Sequence, residues 1–154
     1  MLTKMLVAGW ATDGILSVQT GLPMTVTFSS DVGSMGTNQA LRPDLICNPN
    51  LPGDQQTLNK FFDTACLVQQ TPMYYGSAGR AIITSPGTTN LDLALRKNFR
   101  FTEKFNLQFR SEFFNSLNHA NYNPPNRVLG NSNFGRITGA REPRIIQFGL
   151  KLLF

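Results

Sequence analysis

The acidic and basic side chains that could act in catalysis lie in one stretch, which covers residues 90–118 and reads NLDLALRKNFRFTEKFNLQFRSEFFNSLN. Asp92 and Arg96 precede its central turn, and Arg110 and Glu112 follow it, so a hairpin would set carboxylates beside guanidinium groups. A general acid or base needs a perturbed pKa in a cleft, whereas ion pairs along a strand are usually wall charges. No nucleophile and base stand at a catalytic spacing around these four residues. We therefore expect paired charges and no enzyme activity.

The other reactive side chains are too scattered to form a metal site. His119 is far in sequence from Cys47 and Cys66, and neither cysteine has a C-x-x-C partner, so the spacing predicts no zinc site. The segments GSAG and SPGTTN lack the strand–GxxxxGK[ST]–helix context of a phosphate-binding loop. A disulfide between Cys47 and Cys66 and two unpaired thiols are both compatible with the sequence. We expect no metal and no cofactor.

The basic charge does not point to nucleic acid. The net charge of +5 permits anionic partners, but Lys and Arg are spread along the chain instead of forming runs. The segments FRF and QFR combine Arg with Phe, as single-strand nucleic-acid binders do. In a strand, however, adjacent side chains point to opposite faces and cannot build one stacking surface. We expect no nucleic-acid partner.

The stretch from 90 to 118 alternates apolar and polar residues with a period of two, which predicts strands. Three turn residues, 102–104, separate two alternating runs, so the pattern predicts a hairpin. If Phe101 faces Phe105, Phe99 faces Leu107 on the apolar side and Arg96 lies diagonal to Glu112 on the polar side. The remaining predicted pairs are Leu93 with Phe113, Arg100 with Asn106 and Asn98 with Gln108.

Two further alternating segments complete the predicted architecture. Strands are expected at about 6–20, 88–101, 105–118 and 143–154, with long loops at about 29–87 and 119–142. Strands of ten or more residues have the length that a tilted strand needs to cross a bilayer. The fold class is therefore predicted as all-β, an antiparallel transmembrane β-barrel fragment of about four long strands with two long outer loops, not closed on its own.

A soluble β-sandwich or a lipocalin-like binding module would also alternate, and it stays the alternative. The short turn between two long connections favours the membrane, because transmembrane barrels have short periplasmic turns and long outer loops. Lys97 falls on the lipid face, close enough to the turn to snorkel. Aromatic residues are expected near the inner rim at Trp10, Phe101, Phe105 and Phe154. Polar residues are expected to face the lumen at Asp92, Arg96, Arg100, Arg110 and Glu112.

The chain resembles the C-terminal end of an Oar-like TonB-dependent outer-membrane receptor, a kind that often carries a carboxypeptidase-regulatory-like domain. The resembling stretches are GWATDGILSVQTGLPMTV at 9–26, RPDL at 42–45, FFDTACL at 61–67, YGSAGRAIITSPGTTNLDLALRKNFRFTEKFNLQFRSEFFNSLNHANY at 75–122 and FGRITGAREPRIIQFGLKLLF at 134–154.

The resemblance implies a role in energy-coupled uptake, with this chain supplying barrel wall and extracellular loops in the outer membrane. It also implies outer-membrane lipid and the barrel-assembly machinery as partners, with TonB reached only through the missing N-terminal part. The terminal alternation resembles the signal that this machinery reads, and the residues that would carry it are Ile146, Phe148, Leu150, Leu152 and Phe154.

The chain departs from the family by lacking a plug domain and a TonB box. Four strands cannot close a barrel, since the smallest single-chain barrels need eight and open edges are not tolerated in lipid. We therefore expect a fragment of a larger receptor, with the export signal outside this chain; a trimer contributing four strands per subunit would also close a barrel. The loop composition does not identify a ligand.

Overall fold

A computed structural model describes residues 7–28, 41–102 and 105–154. The chain divides into two compact units. The sheet unit comprises the segment ending at Gln19, together with Thr88–Asn121 and Glu142–Phe154. The loop unit comprises Thr20–Gly87 and Tyr122–Arg141, and so contains both long connections of the predicted architecture. No helix in the described ranges is long and apolar enough to span a membrane.

The regular elements are strands and a short 3₁₀ turn. In chain order they are β1 (Trp10–Gln19), β2 (Pro23–Met24), β3 (Thr27–Phe28), β4 (Asp44–Leu45), the 3₁₀ turn (Thr64–Cys66), β5 (Leu67–Val68), β6 (Ile83–Thr84), β7 (Thr88–Arg100), β8 (Asn106–Phe114), β9 (Val128–Leu129) and β10 (Ile145–Leu153).

The four long strands form one antiparallel sheet in the order β1-β7-β8-β10. Among the described strands β1 and β10 are the two edges, so the sheet does not close. The register of the hairpin is the predicted one, with Phe99 opposite Leu107 and Leu93 opposite Phe113. The predicted polar pairs, Arg100 with Asn106 and Asn98 with Gln108, are also present. The predicted fold class is confirmed.

The strand ends differ from the predicted bounds in two places. The second hairpin strand stops at Phe114 and not at 118, because Asn115 and Asn118 adopt left-handed φ angles of 49° and 50°. Asparagine tolerates this conformation better than most residues, and it turns the chain out of the sheet. The first strand begins at Trp10, with Gly9 at a φ of 83° just before it, and the predicted start at 6 lies outside the described residues.

The hairpin turn is closed by backbone and side-chain hydrogen bonds. The Phe101 N–H donates to the Phe105 carbonyl at 3.1 Å. The Phe105 N–H donates to Thr102 Oγ1 at 3.0 Å. The other two residues of the predicted turn, 103–104, lie outside the described part of the chain.

The two predicted long loops pack together as a unit with its own core. Residues 29–40 of the first loop lie outside the description. The apolar residues of the core come from several segments and are buried: Met24, Val26, Phe62, Leu67, Ala78 and Ile83. Phe62 packs edge-to-face on Phe134 with ring centroids 5.3 Å apart, which joins the two loops. The same unit contains three two-stranded sheets: β2–β6, β3–β9 and β4–β5.

A disulfide between Cys47 and Cys66 links two segments of the loop unit. Asp63 caps the 3₁₀ turn that leads to Cys66, accepting the Ala65 N–H at 3.3 Å. The hydrogen bond from the Lys60 ammonium, and then the Ala65 N–H, lower the pKa of Asp63 below its ordinary value of 3.8. Since this pKa is lowered by folding, the contribution of the cap is present above the ordinary pKa and is lost as the pH falls through the folded value.

Replacing both Cys47 and Cys66 by Ser should destabilise the loop unit. The crosslink spans 19 positions, and a loop of about this length is worth about 3 kcal/mol through the entropy of the unfolded chain. We expect faster trypsin cleavage after Lys60 in a urea series. Each single Ser variant should behave like the double variant, because either change removes the same bond. Unchanged cleavage would show that the core alone holds the unit.

Candidate functional site

One face of the sheet carries the five polar residues that the sequence predicts to face a lumen. The register pairs Ala94 with Glu112, Arg96 with Arg110, and Arg100 with Asn106. Side chains alternate along a strand, so Asp92 shares the face of Ala94. The structure therefore brings the predicted residues to a single face: Asp92, Arg96, Arg100, Arg110 and Glu112.

Arg96 lies diagonal to Glu112 in the register, as predicted, but the two side chains do not form an ion pair with each other. Arg96 Nη2 lies 2.7 Å from Asp13 Oδ2 on β1, and Arg110 pairs with Glu112 along β8. Asp13 lies on the side of β7 away from β8 and, like Glu112, stands opposite Ala94. Asp13 is not among the site residues predicted from the sequence. Its position in the polar alternation of the first strand was the available signal.

The charged residues line an open groove of about 370 Å³ on the polar face. Asp92 Oδ1 accepts hydrogen bonds from Asn90 Nδ2 and the Asn115 N–H, both at 2.9 Å. Each groove carboxylate therefore faces a cation or an N–H donor. Arg100 does not line the groove. Such compensated charges suit a hydrated wall.

The opposite face of the sheet is apolar and exposed. Phe148 is 67% exposed and Leu150 is 72% exposed, and Phe148 stacks on Phe109 at a ring-centroid distance of 6.2 Å. Soluble monomers rarely leave a contiguous apolar surface of this kind in water. All members of the predicted barrel-assembly signal are exposed along this edge strand and its end: Ile146, Phe148, Leu150, Leu152 and Phe154.

Lys97 lies on the apolar face, as predicted, opposite Phe109. Its side chain is almost fully buried, and Nζ donates a hydrogen bond to the Ala8 carbonyl at the turn end of the sheet. The ammonium lies 5.0 Å from the centroid of the Trp10 ring and 5.3 Å from that of Phe99. The two rings and the carbonyl shield the charge, which makes a lysine on this face tolerable.

The four predicted rim aromatics lie at one end of the sheet. Trp10 stands opposite Lys97, and Phe101 and Phe105 flank the hairpin turn. Phe154 directly follows Leu153, whose partner is the first residue of β8. The turn end of the sheet therefore carries these four aromatic residues. At the other end of the sheet, the chain runs from the strands into the segments that form the loop unit.

Three asparagines at the other end of the sheet were missed by the sequence analysis. Asn121 accepts from the Thr89 N–H at 2.8 Å and donates to the Thr89 carbonyl at 2.9 Å. Asn115 bonds both backbone groups of His119, and Asn118 Oδ1 accepts from the Arg144 N–H at 3.1 Å. These side chains tie the chain after β8 to the neighbouring strands. The signal was the motif NSLNHAN, since Asn favours such backbone-mimicking turns.

Asn121→Ala should weaken the sheet by about 1–3 kcal/mol, because it leaves two part-buried backbone groups of Thr89 without this partner. The measurement is the urea midpoint of the folded, lipid-embedded protein. His119→Ala is the matched control, since that exposed residue in the same segment uses its backbone for the bonds described here. Equal midpoints for the two variants would contradict the structural role of Asn121.

Comparison with known families agrees with the two-faced sheet. A family model described as an outer membrane beta barrel domain matches residues 1–147. The chain belongs to the outer membrane beta barrel domain family. The search of curated proteins and the search of solved structures found no match.

The predicted localisation of this outer membrane beta barrel protein is confirmed by the family. The long strands are transmembrane β-strands, and in such barrels the apolar side of each strand meets lipid while the polar side turns inward. The exposed apolar face of β10 and its neighbours is consequently the surface that lipid covers. The polar groove faces away from lipid.

Proposed function

We propose that the chain forms barrel wall and extracellular loops of an Oar-like TonB-dependent receptor that takes up a substrate across the outer membrane. The observation that carries this proposal is the asymmetry of the connections. The hairpin between β7 and β8 is closed within a few residues. Both long connections, in contrast, belong to a separate unit that has its own core and an internal disulfide. A packed loop unit offers a surface on which a substrate can be captured.

The polar face gives the second line of support. Asp13 pairs with Arg96 across strands, Glu112 pairs with Arg110 along a strand, and Gln108 Nε2 donates to Asn98 Oδ1 at 3.0 Å. A wall of this kind stays hydrated and binds polar solutes weakly, which favours passage. In the proposed mechanism, the loop unit captures the substrate, and the substrate then moves along the polar face when TonB pulls on a plug.

The soluble β-sandwich or lipocalin-like alternative has lost its main support. It required a partner sheet over the apolar face, and the chain's family is one of outer-membrane barrels. No described residue favours a soluble binding module over a receptor wall.

The proposal is tested by crosslinking the protein, as its host makes it, in strains with and without TonB. We expect membrane-fraction protein with heat-modifiable mobility and a crosslinked adduct that disappears in the strain lacking TonB. A folded, heat-modifiable barrel that never gives a TonB adduct would overturn the receptor assignment and leave the family membership intact. Protein found only in the soluble fraction would contradict the membrane architecture itself.

A further inference from the structure

The loop unit holds a cavity of about 250 Å³ that the transport path on the sheet does not use. Two arginines line it, together with hydroxyl groups and an aromatic ring, and no acidic residue is among the lining residues that the structure describes. The residues that line it and matter here are Thr25, Thr27, Arg42, Tyr75, Gly76 and Arg80.

Two of the motifs singled out in the sequence meet at this cavity. Arg42 begins RPDL, and Arg80 ends YGSAGR. Across residues 7–28, 41–102 and 105–154, the ion pairs involve other cations, and neither of these guanidinium groups is among them. The nearby acid, Asp44, is already engaged, because its Oδ1 accepts the Ser77 N–H at 2.8 Å. The two positive charges are therefore not neutralised by the described carboxylates.

Hydrogen bonds from backbone N–H groups hold the two motifs against each other. The Leu45 N–H donates to Ser77 Oγ at 3.0 Å, and the Ala78 N–H donates to the Pro43 carbonyl at 2.9 Å. At the other side, the Ala81 N–H donates to Thr25 Oγ1 at 3.0 Å. The two arginines consequently extend from segments whose separation is fixed before any ligand arrives.

Glycine at position 76 is required by this arrangement. A Cβ atom there would lie 1.9 Å from the Arg42 carbonyl oxygen and 2.4 Å from that of Pro43. Tyr75, the neighbouring residue, lines the cavity and is 73% exposed. An exposed ring beside two cations is a surface on which a flat or ring-shaped ligand can lie.

We propose that this cavity binds the oxyanion of a small water-soluble ligand, a carboxylate or phosphate carried on a ring such as a sugar. Guanidinium groups match the geometry of these anions and bind them through two parallel hydrogen bonds. The volume lies below the roughly 300–1,000 Å³ of pockets that enclose drug-sized ligands, so it fits a head group with its ring. Tyr75 would stack on that ring, and the Thr27 hydroxyl would bond its polar edge.

This inference assigns a ligand class to the outer-loop capture step, and it rests on the proposed function only for its role in uptake. Binding is a property of the purified protein and does not need TonB. Retained binding without a TonB adduct would overturn the receptor proposal alone. A TonB adduct without anion binding would overturn this inference alone.

The test uses folded protein purified in detergent and ligand-observed NMR with four probes. Glucose 6-phosphate and galacturonate carry the anion, and glucose and galactose are the neutral matches. We expect binding of the two acids only.

Arg42→Gln and Arg80→Gln should each weaken the binding of these acids by about 10- to 100-fold, the size expected for losing a charged hydrogen-bond pair. Arg80→Lys should restore part of the affinity. Arg141→Gln, an exposed arginine of the same unit that does not line the cavity, should leave it unchanged.

Trypsin resistance and the Cys47–Cys66 bond report whether each variant keeps the fold of the loop unit. Wild-type affinity in both Gln variants would overturn the proposal, as would equal binding of the neutral sugars. Binding confined to phosphatidylglycerol vesicles, with none to the soluble acids, would also overturn it, because the anion would then be a lipid headgroup. Should Arg42→Gln fail to fold, the exposed Arg80 variants still decide the outcome.

Discussion

Phe148→Lys should largely abolish the folded, heat-modifiable form of the protein, whereas Gln147→Lys one position earlier should preserve it. Phe148 lies near the middle of β10 on the apolar face and is opposite Ser111, so a lysine there would have no acidic partner across the strand pair. A lysine on the lipid face of a transmembrane barrel costs about 2–4 kcal/mol near the bilayer midplane. That cost is a large part of the stability of an ordinary fold.

Gln147 is a matched control because it sits on the same strand, faces the other side and is opposite Glu112. A lysine there gains a cross-strand partner of opposite charge. The measurement is the fraction with shifted electrophoretic mobility before boiling, for protein isolated from the outer membrane of its host. Equal loss in both variants would show that β10 is sensitive to any change. Equal retention would show that its apolar face does not meet lipid.

The sheet was predictable because its information is local. Side chains alternate with a period of two, and a short turn fixes which residues face each other. The pairing of Phe99 with Leu107 and of Leu93 with Phe113 therefore followed from the sequence. The stop at Phe114 was not predicted, because apolar alternation continues to Leu117 while the backbone at Asn115 leaves the strand. Here hydrogen bonds from the asparagine side chain outweighed the hydrophobic pattern.

For the candidate sites, the alternation of the strands predicts which face a residue lies on, but not which residue from a distant segment it contacts. It placed Arg96 and Glu112 on one face, but it carried no information about which strand lies on the side of β7 away from the hairpin. The partner of Arg96, Asp13, is 83 positions away and depends on strand order. The loop unit shows no comparable alternation, and the placement of Arg42 and Arg80 at one cavity depends on tertiary packing.

Gly76→Ala should disrupt the loop unit, whereas Gly53→Ala in the same unit should not. The added Cβ at position 76 would lie 1.9 Å from the Arg42 carbonyl oxygen, and the obstacle is backbone, which cannot rotate away as a side chain would. The segments carrying Arg42 and Ser77 must separate. We expect a cost of about 3 kcal/mol, at the upper end of ordinary overpacking. At Gly53 an added Cβ has no neighbour within 4 Å, so the change should be neutral or slightly stabilising.

The readout has two parts, because the same glycine positions the cavity. Gly76→Ala should speed trypsin cleavage after Lys60 in a urea series and should remove binding of glucose 6-phosphate, while heat-modifiable mobility persists since the sheet unit does not contain this residue. Gly53→Ala should match the parent chain in all three measurements. Lost binding with unchanged cleavage would place the effect in the cavity alone. Cleavage and binding both like those of Gly53→Ala would contradict the close approach of the two motifs, and with it the geometry on which the anion site depends.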